Sequence, residues 1–153
     1  AQRATWSGPT GGGLARAPTT GSRSLSTSLV LVDTSVWVEF FNRPGGPEHL
    51  RVNQLLDEDC VAIIGVIAAE LVRGCKTPEE REEVETALDG LHHFDVGFAQ
   101  WVGIGREVFT LRRSGITVSL SDTAIAYSAR AEDLLLYTLD EHFAHFSDLP
   151  RYP

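Results

Sequence analysis

Short apolar runs recur along the chain and predict a series of β-strands. They cover residues 29–32, 60–64 and 134–138, with a weaker run over 92–96 and a short candidate near 116–118. Runs of this length, bounded by polar residues, are typical of strands that are covered on both faces, as in parallel sheets. Such a sheet requires helices on each side.

Segments with helical spacing separate these runs. Thr77 before Pro78 and Glu80 offers an N-cap, a proline at the first helical position and a capping-box glutamate. The predicted helices cover residues 35–42, 47–58, 66–73, 78–90, 98–113 and 122–132. Because strands that alternate with helices imply right-handed crossovers, the predicted fold is α/β, a three-layer α/β/α sandwich with a central, mainly parallel sheet.

The predicted helix over residues 98–113 carries an apolar stripe. The residues that share this face at helical spacing are Phe98, Trp101, Val102, Val108 and Phe109. Such a stripe normally packs against the core, so we expect these side chains to be buried. Gly103 and Gly105 in the same helix each cost about 1 kcal/mol relative to alanine.

Residues 1–28 differ in composition from the rest of the chain. Gly, Ser, Thr, Ala and Pro dominate them without apolar periodicity, so we expect a disordered tail or a cloning remnant. Residues 29–153 are expected to form one folded domain. No apolar run is long enough for a membrane span, and the spacing of Cys60 and Cys75 indicates neither a disulfide framework nor a zinc site. These features favour a soluble, cytoplasmic protein.

Four acidic residues occupy unusual positions in this pattern. Asp33 follows the first strand in LVLVDTSVWVEF, and Asp140 follows the last strand in TLDEHF. Glu70 lies in the apolar segment AAELVRG, and Asp122 begins a helix in SDTAIAYSA. Because the carboxyl ends of parallel strands form one edge, where ligands bind in open α/β sheets, the four acids can gather there.

Two of these acids have alternative structural roles at the ends of strands. Asp33 is also placed to cap the helix predicted to start at Ser35. Asp140 is also placed to act as a turn or cap residue. Neither acid taken alone therefore specifies a ligand site.

The two helical acids have alternatives of the same kind. Asp122 follows a natural N-cap at Ser121 and interacts well with the helix dipole in the first turn. Glu70 has the alternative of facing solvent or of pairing with Arg73 one turn later. A buried Glu70 without a partner would be costly, which favours a functional role.

As a set, the four carboxylates indicate a metal site. Two like charges about 4 Å apart repel by about 4 kcal/mol at an effective dielectric near 20, so a quartet requires protons or a cation. Oxygen ligands of this kind prefer hard ions such as Mg²⁺ or Mn²⁺. His142 and His145 have no third ligand at a known spacing, so a zinc site is not indicated.

The charge balance restricts how nucleic acid could bind. Beyond residue 28 the chain holds 21 acids against 10 bases, and its single lysine is Lys76. An acidic body argues against broad attraction to phosphates, so a metal would supply the local positive field. Phosphate contacts would come from arginines: Arg73, Arg81, Arg106, Arg112, Arg113 and Arg130.

The segments LVDTSVWVEFF, AAELVRG, SDTAIAYSA and TLDEHF, in this order, resemble the four acidic motifs of PIN-domain ribonucleases. The resemblance is strongest to the VapC toxins of bacterial toxin–antitoxin pairs and covers about residues 29–149. It implies a PIN-like nuclease domain over 29–153, Mg²⁺- or Mn²⁺-dependent endoribonuclease activity on RNA, an inhibitory antitoxin partner and a homodimer. The leader 1–28 departs from the family pattern.

The resemblance also assigns roles to residues. The family's acids fall on Asp33, Glu70, Asp122 and Asp140, and its supporting hydroxyls on Ser35 and Thr138. Of the acids, the expected metal ligands, direct or through water, are Asp33, Asp122 and Asp140. Glu70 is expected to hold or deprotonate the attacking water.

The sequence is also compatible with two rival functions. A metal-dependent adhesion module is suggested by Asp33-Thr34-Ser35 after a buried strand, but Trp37 stands where such a site has its second serine. The other rival is a PIN-fold binding protein without catalysis. Magnesium-dependent RNA cleavage distinguishes it from the enzyme.

Overall fold

The computed structural model describes residues 28–153, so most of the predicted tail, residues 1–27, lies outside the described residues. Four strands form in the predicted places: β1 Val30–Val32, β2 Val61–Ile64, β3 His92–Phe94 and β4 Leu135–Tyr137. The described chain has no strand at 116–118, where one was a candidate.

The four strands form a parallel sheet in the order β3-β2-β1-β4. The chain steps outward from β1 to β2 to β3 and then returns to place β4 on the other side of β1. Such a reversal of strand order is a topological switch point, and the crevice beyond the carboxyl ends of β1 and β4 is the expected ligand position.

Six α-helices connect the strands, within about two residues of the predicted bounds. They are α1 Thr34–Asn42, α2 Pro47–Asp57, α3 Gly65–Gly74, α4 Pro78–Asp89, α5 Phe98–Arg113 and α6 Leu120–Ala131. The start of α6 was predicted two residues late, because Ser119 and not Ser121 is its N-cap. A short 3-10 helix, Glu141–His145, follows β4 and was not predicted. The α/β fold prediction is confirmed.

The core forms where the sheet meets the helices. Strands β1 and β2 are buried along their whole length, and Trp37 of α1 stacks on Phe41 with ring centroids 5.7 Å apart. Phe143 of the 3-10 helix is fully buried as well. Within residues 28–153, no helix combines the length and apolarity needed to cross a membrane.

The predicted packing of the α5 stripe is wrong. Phe98 is 86% exposed, Phe109 63%, Trp101 40% and Val102 39%, whereas the buried residue of α5 is Ile104 on another face. Helical periodicity correctly predicted a helix and an apolar face, but it could not show which face meets the sheet.

Close packing of α5 on α6 explains one of the two α5 glycines. A Cβ at Gly103 would lie 2.6 Å from Tyr127 Oη and 2.9 Å from its ring carbon Cζ. The same helix pair is joined by Arg130 of α6, whose Nη2 donates to both carboxylate oxygens of Glu107 at 2.6 and 2.7 Å. Both side chains are about three-quarters buried.

This ion pair gives a test of the α5–α6 contact. Glu107→Gln is expected to lower the free energy of unfolding by about 1–2 kcal/mol, because it removes a charge-assisted, bidentate pair. The matched change Glu85→Gln breaks the exposed pair with Arg81, at 3.5 Å, and is expected to cost less than about 0.5 kcal/mol. Urea unfolding of both variants measures the difference, and equal losses would contradict the assigned importance of the buried pair.

Candidate active site

The register between β1 and β4 brings their carboxyl ends together. Val32 pairs with Tyr137, and the next backbone N–H, that of Asp33, donates to the Tyr137 carbonyl at 2.9 Å. The residues that follow each strand, Asp33 and Thr138, therefore lie side by side. These positions lie in the crevice expected from the strand order.

Hydroxyl groups hold the buried Asp33 carboxylate in place. Asp33 is 5% exposed, and its Oδ2 accepts hydrogen bonds from Ser35 Oγ at 2.7 Å and Thr138 Oγ1 at 2.8 Å. Ser35 N also donates to Oδ2, at 3.4 Å, so Asp33 is the N-cap of α1. None of these three bonds uses Oδ1.

The environment of Asp33 opposes its negative charge. Burial raises the pKa of Asp33, while hydrogen bonds from Ser35, Thr138 and nearby backbone N–H groups lower it by a smaller amount. Within residues 28–153, no arginine, lysine or histidine forms a salt bridge to Asp33. The carboxylate is thus oriented by neutral donors, and its charge is left without a cationic side chain.

Asp140 is connected to the same hydroxyl cluster. Its backbone N–H donates to Thr138 Oγ1 at 3.0 Å, and its Oδ1 accepts from His142 N at 2.8 Å. His142 Nδ1 also lies 3.2 Å from this Oδ1. Asp140 therefore caps the 3-10 helix and is connected to Asp33 indirectly, through the hydroxyl of Thr138.

Glu70 approaches the site from α3. Its Oε2 accepts a hydrogen bond from Thr34 Oγ1 at 2.6 Å, and Thr34 is the residue next to Asp33. The alternative pairing with Arg73 does not occur, and Glu70 is half-buried. Thr34 was missed as a positioning residue, although its place between Asp33 and Ser35 in the DTS segment was a signal.

Asp122 hydrogen-bonds to a different group, outside the network around Asp33. Its N–H donates to Ser119 Oγ at 2.9 Å in the first turn of α6, and α6 packs against α3, which carries Glu70. Across residues 28–153, no three His, Cys, Asp or Glu side chains stand close enough to hold one metal ion. The convergence of all four acids, as predicted, therefore stays a prediction.

The donors present nonetheless suit a hard divalent ion in chemical type. Among residues 28–153 the buried Asp33 carboxylate has no cationic partner, Asp140 is connected to it through the Thr138 hydroxyl, and Glu70 accepts from the hydroxyl of the adjacent Thr34. Mg²⁺ binds through one or two carboxylates and keeps several waters, so it does not require a closed protein cage. These residues fit such an ion.

Comparison with known proteins agrees with this fold. The PIN domain family model matches residues 30–149. Ribonuclease VapC11 of Mycobacterium tuberculosis is 33% identical over 105 residues, which cover 64% of this chain and 76% of that protein. The chain therefore belongs to the PIN-domain family and, within it, to the VapC ribonucleases, as its four acidic motifs predicted.

Solved structures show the same fold at lower identity. VapBC2 from Rickettsia felis, bound to a DNA fragment from its promoter, has a TM-score of 0.68 at 22% identity, covering 81% of this chain and 97% of that one. VapBC-1 from nontypeable Haemophilus influenzae has a TM-score of 0.66 at 21% identity, covering 81% and 96%. These similarities support the architecture around the site.

The buried charge of Asp33 predicts a stability effect in the metal-free protein. With a raised pKa, the folded state holds the Asp33 proton more tightly than the unfolded chain, whose pKa is near 3.8. The stability that this preference contributes is present below 3.8 and is lost as the pH rises through the folded pKa. Asp33→Asn, which stays neutral, is therefore expected to have a higher melting temperature than the wild type near about pH 7.

Calorimetry in EDTA measures this difference, which is expected to shrink toward about pH 4 as the wild-type carboxyl is protonated. The control Asp133→Asn changes an exposed aspartate at φ 52°, a conformation that asparagine also adopts. It is expected to show no such trend. A melting temperature of Asp33→Asn below that of the wild type at neutral pH would contradict the account of Asp33.

Proposed function

We propose that this protein is a divalent-metal-dependent endoribonuclease that acts as the toxin of a toxin–antitoxin pair. The observation that carries the proposal is Asp33, a buried carboxylate that is held by two hydroxyls at the switch point of a parallel sheet and has no ion pair to a basic residue within residues 28–153. Membership of the VapC ribonucleases supports RNA as the substrate.

The positions of these residues indicate a separate role for each in the proposed reaction. Ser35 and Thr138 both donate to Oδ2 of Asp33. These bonds fix the plane of the carboxylate and therefore the direction of its other oxygen, Oδ1. Asp33 and Asp140 would hold Mg²⁺ or Mn²⁺, with Asp122 as a further ligand, directly or through water. A bound ion of this kind lowers the pKa of a water ligand and neutralises charge on phosphoryl oxygens.

Glu70 has a separate role in this proposal. Its Oε2 accepts a hydrogen bond from Thr34, the residue that follows Asp33. This contact places the Glu70 carboxylate beside the first turn of α1. From there it holds the attacking water and accepts its proton, which is ordinary general-base chemistry for a half-buried glutamate.

The arginines available for phosphate contact are fewer than the sequence suggested. Arg130 is committed to Glu107, and Arg81 lies against Glu82 and Glu85. Arg73 is exposed one turn beyond Glu70 on α3, so it is our choice for a phosphate contact near the site.

A protein partner and self-association complete the proposal. The VapBC2 and VapBC-1 structures and a further neighbour, a toxin–antitoxin complex from Klebsiella pneumoniae with a TM-score of 0.56, support a small antitoxin as the inhibitor of this chain. We also propose a homodimer. Addition of the cognate antitoxin is expected to suppress the cleavage described next.

Cleavage of RNA tests the catalytic assignment. The wild type is expected to cut total cellular RNA with Mg²⁺ or Mn²⁺ and to stop in EDTA. Asp33→Asn preserves the side-chain volume and removes a ligand charge, so it is expected to lower the cleavage rate on the order of a hundredfold or more. The control Asp133→Asn, before β4 and thus at the opposite edge of the sheet, is expected to keep wild-type activity. Retained cleavage in Asp33→Asn would refute the assignment.

Metal binding has a readout that does not depend on activity. Mn²⁺ at a hundred times its dissociation constant is expected to stabilise the wild type by about 2.7 kcal/mol. The melting temperature of Asp33→Asn is expected to respond much less, and that of Asp133→Asn as the wild type does. Metal stabilisation without RNA cleavage would favour a PIN-fold binding protein instead.

A further inference from the structure

The outer side of β4 is covered by a short segment of the chain, residues 150–153. The backbone N–H of Leu136 donates to the Pro150 carbonyl at 2.8 Å, and that of Tyr152 donates to the Leu136 carbonyl at 2.9 Å. Arg151 is thereby paired with Leu136 in parallel. Strand β4 is therefore held on both sides, by β1 and by this segment.

Side chains reinforce this backbone pairing. The rings of Tyr137 and Tyr152 have centroids 5.2 Å apart. The guanidinium of Arg51, on α2, lies 5.7 Å from the centroid of the Tyr137 ring, and its Nη1 donates to the Pro153 carbonyl at 3.3 Å. Aromatic pairs and cation–π contacts both favour a defined position of the ring. Tyr137, at 5% exposure, is thus fixed by packing.

Tyr137 directly precedes the hydroxyl residue of the candidate metal site. Thr138 Oγ1 donates to Asp33 Oδ2 at 2.8 Å and accepts from the Asp140 N–H at 3.0 Å. The Tyr137 carbonyl accepts from the Asp33 N–H at 2.9 Å. A shift of Tyr137 would therefore displace both the carbonyl and the hydroxyl that this end of β4 supplies to Asp33.

Strand β4 requires such support because it is short. It has three residues, Leu135–Tyr137, and without segment 150–153 it would be an edge strand. Short elements with few contacts open locally at low free energy. Groups of a functional site must be held within about 0.5 Å by residues that are themselves fixed by packing. The contacts of Tyr152 and Arg51 with Tyr137 meet this requirement.

We infer that Tyr152 and Arg51 are positioning residues for the metal site. They fix Tyr137, whose backbone places the Thr138 hydroxyl against Asp33. Their effect reaches the site through β4 and not by contact with metal or RNA. This inference rests on the metal site of the proposed function. Loss of an outer partner that orients a metal ligand lowers metal affinity or activity by about 10–100-fold.

Binding of Mn²⁺ tests this role without RNA. In titration calorimetry of the purified chain, Tyr152→Ala is expected to raise the dissociation constant for Mn²⁺ by about tenfold or more. Tyr152→Phe keeps the ring that contacts Tyr137 and is expected to bind Mn²⁺ as the wild type does.

His49→Ala is the matched control. His49, on α2, is half-buried like Tyr152, and its ring stacks on that of Phe40 with centroids 4.7 Å apart. This variant is expected to lose stability and to keep its affinity for Mn²⁺, because Phe40 lies at the far end of α1 from Asp33. An unchanged dissociation constant in Tyr152→Ala, or an equal loss of affinity in His49→Ala, would overturn the inference.

A double-mutant cycle distinguishes positioning from a general loss of stability. Thr138→Val removes the hydroxyl through which Tyr152 acts. In this background, Tyr152→Ala is expected to raise the dissociation constant for Mn²⁺ by less than about twofold further, because the two residues act as one unit. Additive losses would show that Tyr152 acts by another route and would refute its positioning role.

Amide hydrogen exchange in EDTA tests the same role in the metal-free protein. Tyr152→Ala is expected to speed exchange of the Asp33 N–H, which bonds to the Tyr137 carbonyl, by about tenfold. Arg51→Met removes the cation from the ring and is expected to speed it by about threefold. The Val30 N–H, which bonds on the β2 side of β1, is expected to exchange as in the wild type. Equal acceleration at both amides, or none at Asp33, would contradict the inference.

The two readouts separate this inference from the proposed function. A wild type that binds no Mn²⁺ would contradict the proposed metal site, and hydrogen exchange would still decide whether Tyr152 and Arg51 fix the end of β4. Binding of Mn²⁺ that is insensitive to Tyr152→Ala would refute the positioning role alone.

Discussion

Parallel pairing of β1 with β4 is the constraint on which the candidate site depends. These strands are separated by about a hundred residues, yet one step of register decides whether Asp33 meets Thr138. Because side chains alternate between faces with a period of two, a slip of one residue would direct Asp33 and Thr138 to different faces. One of the two hydroxyls that hold Asp33, that of Thr138, thus comes from a strand distant in the sequence and is placed by backbone hydrogen bonds.

The same pairing explains how the buried Asp33 carboxylate is tolerated despite its desolvation cost. Neutral hydroxyl donors reduce the desolvation cost of Asp33 without cancelling its charge, whereas an arginine in their place would neutralise the carboxylate. Asp33 also caps α1, and this structural role is compatible with its proposed role as a metal ligand. Asp140 likewise caps the 3-10 helix. A cap fixes the orientation of a carboxylate, which is useful for a metal ligand.

Structural features that depend on the local sequence pattern were predicted well. Apolar runs located all four strands, and the N-cap and proline at Thr77 and Pro78 located the start of α4. Features that depend on neighbouring elements were predicted poorly. The exposure of Phe98 and Phe109 follows from how α5 packs on α6 through Gly103, and no local pattern records that contact. The relative positions of the four acids depend on side-chain geometry in the same way. The order of the motifs therefore identified the family but did not predict how the acids are arranged around a metal ion.

The two α5 glycines show how helix packing divides a surface between inside and outside. Gly103 lets Tyr127 approach, and this contact turns the opposite face of α5, centred on Gly105, toward solvent. The helix therefore loses stability twice through glycine, while one of the two positions gains a contact within the chain. The exposed face of α5 carries no acid, because the sole acid of this helix, Glu107, is paired with Arg130 of α6. The position of Tyr127 on α6 thus determines which apolar residues of α5 are exposed.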